Sequence, residues 1–452
     1  MDVPPSPTTT ATGIYISAPG KIILFGEHAV VYGRTAVAGS IDLRTFVSLF
    51  TSQDGRLYLS LPDLGVEKTW MLKDLIKAAE KLGENAVEDG TPPSLELIVP
   101  IARKLSGSCE EQCGVQHLAI LAFWYLLLSV AQRRKNILAV KVTVRFRLPS
   151  CVGLGSSGAY CVCITAALLQ AAGLIPRPSV PVAGTSDALT WDDSSLEMIR
   201  KWAASAEALI HGRASGIDAA VCTYGGVASF KPGERIKHFK NLPDLRVILV
   251  NSKVERNTSR MVAVVKERLK KYPDVVEGIF NAIDAISKES AKILNRAETE
   301  CQESEDGSSV SSVATCTEDE HHSLQANHQT PIPSASCQNQ VSDSHARLND
   351  LCRINNQLLI ALGVGHPKID QISTLLARYG VHPKMTGAGG GGSVYAFLKP
   401  DTSATVMDMI TAELTKLGYE VWRPPLGGAG LMMHTRKPDL FSTPVKAGSV
   451  KK

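Results

Sequence analysis

P-S-C-V-G-L-G-S-S-G-A-Y-C-V-C-I-T-A-A-L-L, from Pro149 to Leu169, is the stretch whose reading decides the fold. Ahead of it, Ala139–Phe146 (A-V-K-V-T-V-R-F) alternates apolar and polar residues, which predicts a half-buried strand. Behind it, Ala159–Ala172 is apolar, rich in alanine and free of Pro and Gly, which predicts a helix of about four turns. Between them lie Gly153 and Gly155, then Ser156 and Ser157. Glycine lets backbone N–H groups approach a ligand with no Cβ in the way. The serines are expected to cap the helix. A helix start with free N–H groups and the positive end of the dipole is an anion site. Together these features read as a phosphate cradle, with an ordinary Ser-capped strand-to-helix turn as the plainer alternative. The turn is not a Walker A loop, because G-x-x-x-x-G-K-[ST] occurs nowhere in the chain. Gly153–Gly158 fits G-x-G-x-x-G in form. A dinucleotide site also wants an acid about 20 residues on, and Ile175–Thr185 is Pro-rich and contains none.

The rest of the composition narrows the class. A chain of 452 residues has room for two domains. Its 44% hydrophobic and 20% charged content suits a globular protein. A net charge of +4, dispersed along the chain, argues against nucleic acid as a partner. The longest nearly apolar run, Leu118–Ala131, falls short of the roughly 20 residues of a membrane span, so it is expected to be a buried helix, and no membrane partner is expected. Ten cysteines without a C-x-x-C pair indicate neither a zinc site nor a redox motif. Reduced thiols, and hence a cytoplasmic location, are the expectation.

Along the chain, residues 1–12 are expected to be a disordered leader. A strand starts at Ile14–Ile16 and leads into S-A-P-G-K-I-I-L-F-G-E-H-A-V-V-Y-G, Ser17 to Gly33. Lys21, after a Pro-Gly turn and before an apolar run, is expected near a cleft, and Glu27-His28 is a polar pair between Gly26 and Ala29–Val31. Thr35–Ser52 and Leu57–Leu61 read as antiparallel strands, Thr69–Leu82, Leu95–Leu105 and Cys113–Arg133 as helices, and Asn85–Ser94 as a polar loop. Leu196–Ile210 is an amphipathic helix that ends near Glu207. Asp218 follows Gly216 at the start of an Ala-rich element, so two carboxylates eleven residues apart can converge across the turn. Arg246–Val250 is a strand, and helices follow to Ala297. Residues 298–345 are rich in Ser, Glu and Gln and poor in apolar residues, the composition of a disordered insertion. Leu348–Leu362, Ile369–Tyr379 and Ala404–Leu417 read as helices, and Leu431–His434 as a last strand. Lys384–Leu398 (K-M-T-G-A-G-G-G-G-S-V-Y-A-F-L) carries five glycines in six residues before a strand. Such a run makes sense where backbone must lie against a ligand or another loop.

The glycine-bearing motifs A-P-G-K-I-I-L-F-G-E-H, P-x-x-x-G-L-G-S-S-G and K-M-T-G-A-G-G-G-G occur here in that order. The set resembles the small-molecule kinase superfamily of galactokinases, homoserine kinases, mevalonate kinases and phosphomevalonate kinases. It covers about residues 14–435, with 298–345 unmatched. I-H-G-R-A-S-G-I-D, N-S-K-V-E-R-N-T and A-L-G-V-G-H make the animal mevalonate-kinase branch the most similar, whereas the G-R-x-N-x-I-G-E-H-x-D-Y segment of galactokinases is missing. The resemblance implies an α+β fold of two domains with the active site in the cleft between them. The expected division is an N-terminal domain over 13–240, a C-terminal domain over 241–297 and 346–436, the insertion, and a tail over 437–452.

What the resemblance implies about the site can be stated residue by residue. Cys151, Val152, Gly153, Leu154, Gly155, Ser156 and Ser157 would bind the phosphates of ATP, with Asp63 and Lys21 also on the nucleotide. Ser157 and Glu207 would hold Mg²⁺. Asp218 would be the catalytic base with Lys21 beside it. Glu27, His28 and Thr258 would line the mevalonate site, and Gly389–Gly392 would support the phosphate loop. A homodimer, a cytoplasmic location with peroxisomal association as a variant, and inhibition by isoprenoid diphosphates are further implications. The chain departs from the family at Cys151 and Val152, where small residues are usual, at Arg213-Ala214, where Asn-Pro is common, at Gly158, usually Ala, and at Asp63, where Asn is expected. A kinase for another small alcohol, or a non-catalytic ligand sensor on the same fold, are the alternatives. The insertion is expected to be dispensable for both folding and turnover, since it has little apolar area to bury.

Overall fold

The computed structural model describes residues 13–82, 90–92, 94–107, 114–134, 139–149, 152–211, 215–239, 242, 245–255, 257–303 and 335–442. The leader, most of the polar loop at 85–94, Cys151, Arg213-Ala214, residues 304–334 and the tail beyond 442 lie outside the described residues.

The first sheet is built on the strand Ile14–Phe25, which pairs antiparallel with Ala36–Ser52 along nearly its whole length. Its far side takes the last strand of the chain, Met432–His434. Ala36–Ser52 in turn pairs with Ala139–Phe146 and, at its start, with Val227–Phe230. Arg56–Leu61 runs parallel to Ala139–Phe146 and antiparallel to Val66–Met71, so it is only half the antiparallel strand expected. Thr69–Met71 belongs to that edge strand, and the helix expected from Thr69 begins at Leu72. The expected Pro-Gly turn is also absent: the first strand runs straight through Pro19 and Gly20, with only a shift of register there.

Helices cover one face of this sheet. Val115–Arg133 is apolar all round, and Ala119–Ala131 is buried without a break. By length and composition it is long and apolar enough to cross a membrane. Here it packs beneath the helices Leu95–Ser106, Ser156–Ala171 and Asp193–His211.

The second sheet orders Lys384–Met385, Ser393–Phe397, Val247–Asn251 and Glu420–Trp422, all antiparallel. Every residue of Val247–Asn251 and Ser393–Phe397 is buried, because the two faces of these strands serve different cores. Val247, Leu249, Tyr395 and Phe397 join the core of the first sheet. Ile248, Val250, Val394 and Ala396 join a second core with the helices Thr258–Lys271, Pro273–Glu303, Ala335–Ala361, Pro367–Ala377 and Ala404–Lys416. The period-2 alternation of a strand thus makes this sheet a partition. The arrangement is α+β.

Two boundaries differ from the sequence reading. The last strand sits in the first sheet, although 346–436 was expected to belong wholly to the C-terminal domain. Arg44 fastens that return, donating to the carbonyls of Ala429 (3.0 Å) and Gly430 (2.5 Å) while also holding Ser17 Oγ (2.9 Å). Regular helix also enters both ends of the segment 298–345, through Pro273–Glu303 and Ala335–Ala361. The cause is tertiary: Ile293 and Leu294 pack in one core with Leu348 and Cys352, and a helix already nucleated extends at small cost. Replacing 304–334 with a short Gly/Ser linker is expected to leave melting temperature and turnover unchanged. An excision carried to residue 344 is expected to lower the melting temperature, because it strips the helix turn before buried His345.

His434, in the last strand, bonds Ser17 Oγ (2.8 Å) and stacks on Phe46. Burial, then the Arg44 charge, lowers its pKa to about 4. Between about 6.5, the ordinary value, and about 4, the unfolded chain binds a proton here that the folded chain does not, so stability is lost as pH falls through that window. His434→Gln should therefore show a smaller fall in melting temperature from pH 7 to 4 than the parent. Parallel curves for the two proteins would contradict this.

Candidate active site

The site forms where the first strand meets the phosphate turn, and three glycines allow the meeting. A Cβ on Gly20 would lie 2.5 Å from Leu148 Cδ2 and 2.7 Å from the Leu154 carbonyl. The next residue, Lys21, donates its backbone N–H to that carbonyl at 2.8 Å. Gly155, at φ +74°, has no Cβ where one would stand 2.7 Å from Lys21 Cγ. The lysine side chain is thus laid along bare glycine backbone, and its Nζ reaches Asp218 Oδ1 at 2.8 Å. A Cβ on Gly158 would come within 3.1 Å of Asp218 Cβ, which gives the departure from Ala at this position a geometric reason.

Gly155, not a serine, is the N-cap of the helix Ser156–Ala171, and no side chain caps it. This corrects the expected role of the serines: the left-handed glycine ends the turn, and Ser156 and Ser157 fall inside the first helical turn. The opening N–H groups therefore have no intrahelical acceptor, as an anion site requires. Val152, Gly153 and Leu154 are buried beneath the turn.

Ser157 Oγ points to Glu207 Oε1, 3.4 Å away. Glu207 is 2% exposed, and its Oε2 is buried with no hydrogen-bond partner. Burial, and then the neighbouring Asp218 carboxylate, holds the Glu207 carboxyl well above the usual carboxylate range. A cation placed here would reverse that balance. No group of three or more His, Cys, Asp or Glu side chains is assembled for a metal among the described residues. Magnesium takes few protein oxygens and fills its shell with water and substrate phosphate, so an unmet buried carboxylate oxygen beside a hydroxyl and an anion-binding helix start fits Mg²⁺.

Asp63 lies in a single helical turn after Arg56–Leu61. Its Oδ2 accepts from the Phe146 N–H (2.8 Å) and from Arg145 Nε (3.1 Å). The extra negative charge in place of Asn is thus matched by an arginine. Glu27 and His28 are not free at the mouth of the site. Glu27 pairs with Lys384, both fully buried; burial pushes the Glu27 pKa up, and Lys384 opposes the shift. His28 Nε2 is hydrogen-bonded to the Ala388 carbonyl at 2.8 Å. Thr258 is exposed at the first turn of Thr258–Lys271, capped by Asn257, and no hydrogen bond joins it to Lys21 or Asp218 among the described residues. Its helix flanks the glycine run, since a Cβ on Gly390 would lie 2.4 Å from Met261 Sδ. The run ends at Ser393, whose N–H bonds the Val152 carbonyl (3.1 Å). The structure therefore gathers Lys21, Gly153–Ser157, Glu207 and Asp218. Sequence reasoning assigned no role to Lys384. The signal was present, because Lys384 opens a glycine run as Lys21 precedes an apolar one.

Family models match at two places: the GHMP kinases N terminal domain over residues 120–226 and the GHMP kinases C terminal over residues 339–415. The mevalonate kinase of Bos taurus is 35% identical over 423 residues, covering 93% of this chain and 95% of that protein. The Homo sapiens enzyme is 35% identical over 425 residues with the same coverage, and that of Arabidopsis thaliana 33% over 423 residues, covering 91% and 97%. Among solved structures, the Methanococcus jannaschii mevalonate kinase aligns with a TM-score of 0.58 at 20% identity, covering 93% of this chain and 99% of that one. That likeness speaks to the fold.

Gly155→Ala tests the close approach. The expected result is a turnover loss of more than about tenfold, since small misplacements at a reacting centre are costly, with a lower melting temperature. Gly184→Ala is the control: its φ is +78°, and a Cβ there would meet nothing within 4 Å. Equal losses in both variants would mean that backbone strain, not the contact with Lys21, sets the effect.

Proposed function

The chain belongs to the mevalonate-kinase family of the GHMP kinases, and from that premise we propose that it moves the γ-phosphoryl group of ATP to the primary 5-hydroxyl of mevalonate. The products are 5-phosphomevalonate and ADP, on the way to isoprenoids and sterols. The observation that carries the reading is the 2.8 Å contact of Lys21 with Asp218, placed under the open helix start at Ser156 and beside Glu207. A sensor would have no need of a buried cation and a partly exposed base held together at the end of a phosphate site.

Phosphoryl transfer asks for positioning and charge neutralisation rather than covalent help. The first-turn N–H groups suit the ATP phosphates. Ser157 and Glu207 would hold Mg²⁺, which when bound neutralises phosphate charge. Asp218 takes or orients the proton of the 5-hydroxyl as its oxygen bonds to phosphorus and the bond to ADP breaks. Lys21, 2.8 Å from Asp218, offsets charge on the moving phosphoryl group.

Three further proposals concern assembly, regulation and location. A homodimer rests on the family resemblance. Inhibition by isoprenoid diphosphates rests also on chemistry, since a diphosphate head offers the same charge as the nucleotide tail. A cytoplasmic location is supported by Cys161, Cys163, Cys222 and Cys352, all free, buried thiols.

A coupled ADP-release assay with mevalonate, phosphomevalonate, homoserine and galactose tests the substrate. Release with mevalonate alone is expected; release with another alcohol would reassign the substrate, and ligand binding without release would favour a sensor. Asp218→Asn should cut turnover by roughly 10²–10⁴-fold, the worth of general-base assistance, while both substrates still bind. Retention of more than about a tenth of wild-type turnover would place the base elsewhere.

A further inference from the structure

The end of the first strand and the start of the glycine run are joined at several points across some 360 residues of chain. Thr386 Oγ1 accepts from the Ile23 N–H (2.9 Å) and lies 3.0 Å from the Ile23 carbonyl. Tyr395 OH donates to the Leu24 carbonyl (2.5 Å), and His28 Nε2 meets the Ala388 carbonyl (2.8 Å). At the centre is the ion pair of Glu27 and Lys384, with side chains 1% and 0% exposed. Lys384 Nζ also donates to the Met385 carbonyl (2.8 Å) and lies 5.9 and 5.5 Å from the ring centres of Phe25 and Tyr395.

A dry ion pair is a poor source of stability. Removing two charges from water costs several kcal/mol each, and an apolar pair of similar volume often serves as well. What such a pair provides is a single register, because either charge left alone is strongly penalised. The register matters here for what lies on either side. Glu27 follows the strand that carries Lys21. Lys384 leads into Gly387–Gly392, and past that run Ser393 holds Val152, the residue before Gly153. The glycine run has no slack of its own. Cβ atoms on Gly389, Gly390 and Gly391 would lie 2.5 Å from the Val364 carbonyl, 2.4 Å from Met261 Sδ and 2.7 Å from Val254 Cγ1.

We infer that Glu27 and Lys384 are positioning residues for phosphoryl transfer: their ion pair locks the glycine run to the end of the first strand and so holds the phosphate turn in register with Lys21 and Asp218. This assignment rests on the kinase reading above. It gives Glu27 a role besides the expected contact with the alcohol substrate: Lys384 takes Oε1, and the buried Oε2 has no hydrogen-bond partner.

The test compares Glu27→Gln, Lys384→Met and the double variant Glu27→Gln/Lys384→Met in the full chain, measuring kcat, both KM values and melting temperature. The expected result is a kcat loss of about 10²-fold in all three, the cost of a small misplacement remote from the chemistry. Both KM values should stay within about threefold. Melting temperature should fall in the single variants and return toward the parent in the double, where no charge is left unpaired. Recovery of kcat along with stability in the double variant would make the pair a stability element only and overturn the inference. So would a KM for mevalonate raised more than about tenfold in Glu27→Gln with kcat kept, the signature of a lost substrate contact. If the single variants do not fold, the double variant decides by the same criteria, and a double variant that also fails to fold counts against the inference. Parent protein that releases no ADP with mevalonate would reject the kinase reading itself, and the positioning role with it, a result read before any variant is compared.

Discussion

The approach of Gly155 to Lys21 is the contact on which the site depends. It brings a helix start against the middle of a strand at a distance that any side chain larger than hydrogen would prevent. Once the two are together, Lys21 has little water around it, and an ammonium without water needs a partner. Asp218 is that partner, carried in by a second glycine-started helix, Ile217–Tyr224. The aspartate side chain keeps 22% of its surface exposed where the lysine keeps 5%. The cation is therefore fixed inside, and the carboxylate is the partly exposed member of the pair. Packing sets the position, and desolvation sets the pairing.

The same logic explains why the two sheets do not form separable halves. The sheet of Val247–Asn251 and Ser393–Phe397 is shared by both cores. The turn after the first strand reaches the other way: Ala29 sits in the second core, Tyr32 stacks on Phe280, and the Thr35 N–H meets Asp284 at 2.7 Å. Each half thus fills part of the other's interior. A hinge between them would have to expose apolar surface at roughly 25 cal/mol per Å², so the cleft that the resemblance implies lies between firmly joined walls.

The parts of this arrangement legible in the sequence are those with a local cause. The phosphate turn reads from Gly153, Gly155 and Ser156 because turn chemistry is decided within a few residues. Val115–Arg133 reads as a buried helix because it has no polar side. Lys21, Glu207 and Asp218 stood out through motif and spacing. The parts that could not be read are pairings over long separations. Nothing near Glu27 names Lys384 as its partner, and nothing near Asp63 names Arg145. Pro19-Gly20 has the composition of a turn, yet the neighbours at Leu148 and Leu154 make it strand. The serine cap failed for a related reason, since Gly155 was already committed to a left-handed conformation by its contact with Lys21.

The place of Met432–His434 has a consequence for how the chain is made. These residues join the first strand to the hairpin of Val180–Pro181 and Ala188–Thr190, which among the described residues pairs with the rest of the sheet through them. A ribosome delivers Ile16 more than four hundred residues before its neighbour Met433. Until then the strand bearing Lys21 has an open edge, and Ser17 and Arg44 lack the carbonyls and the imidazole that later occupy them. Open edges recruit other strands. The nascent chain therefore spends most of its synthesis with the strand that carries Lys21 unpaired on one side.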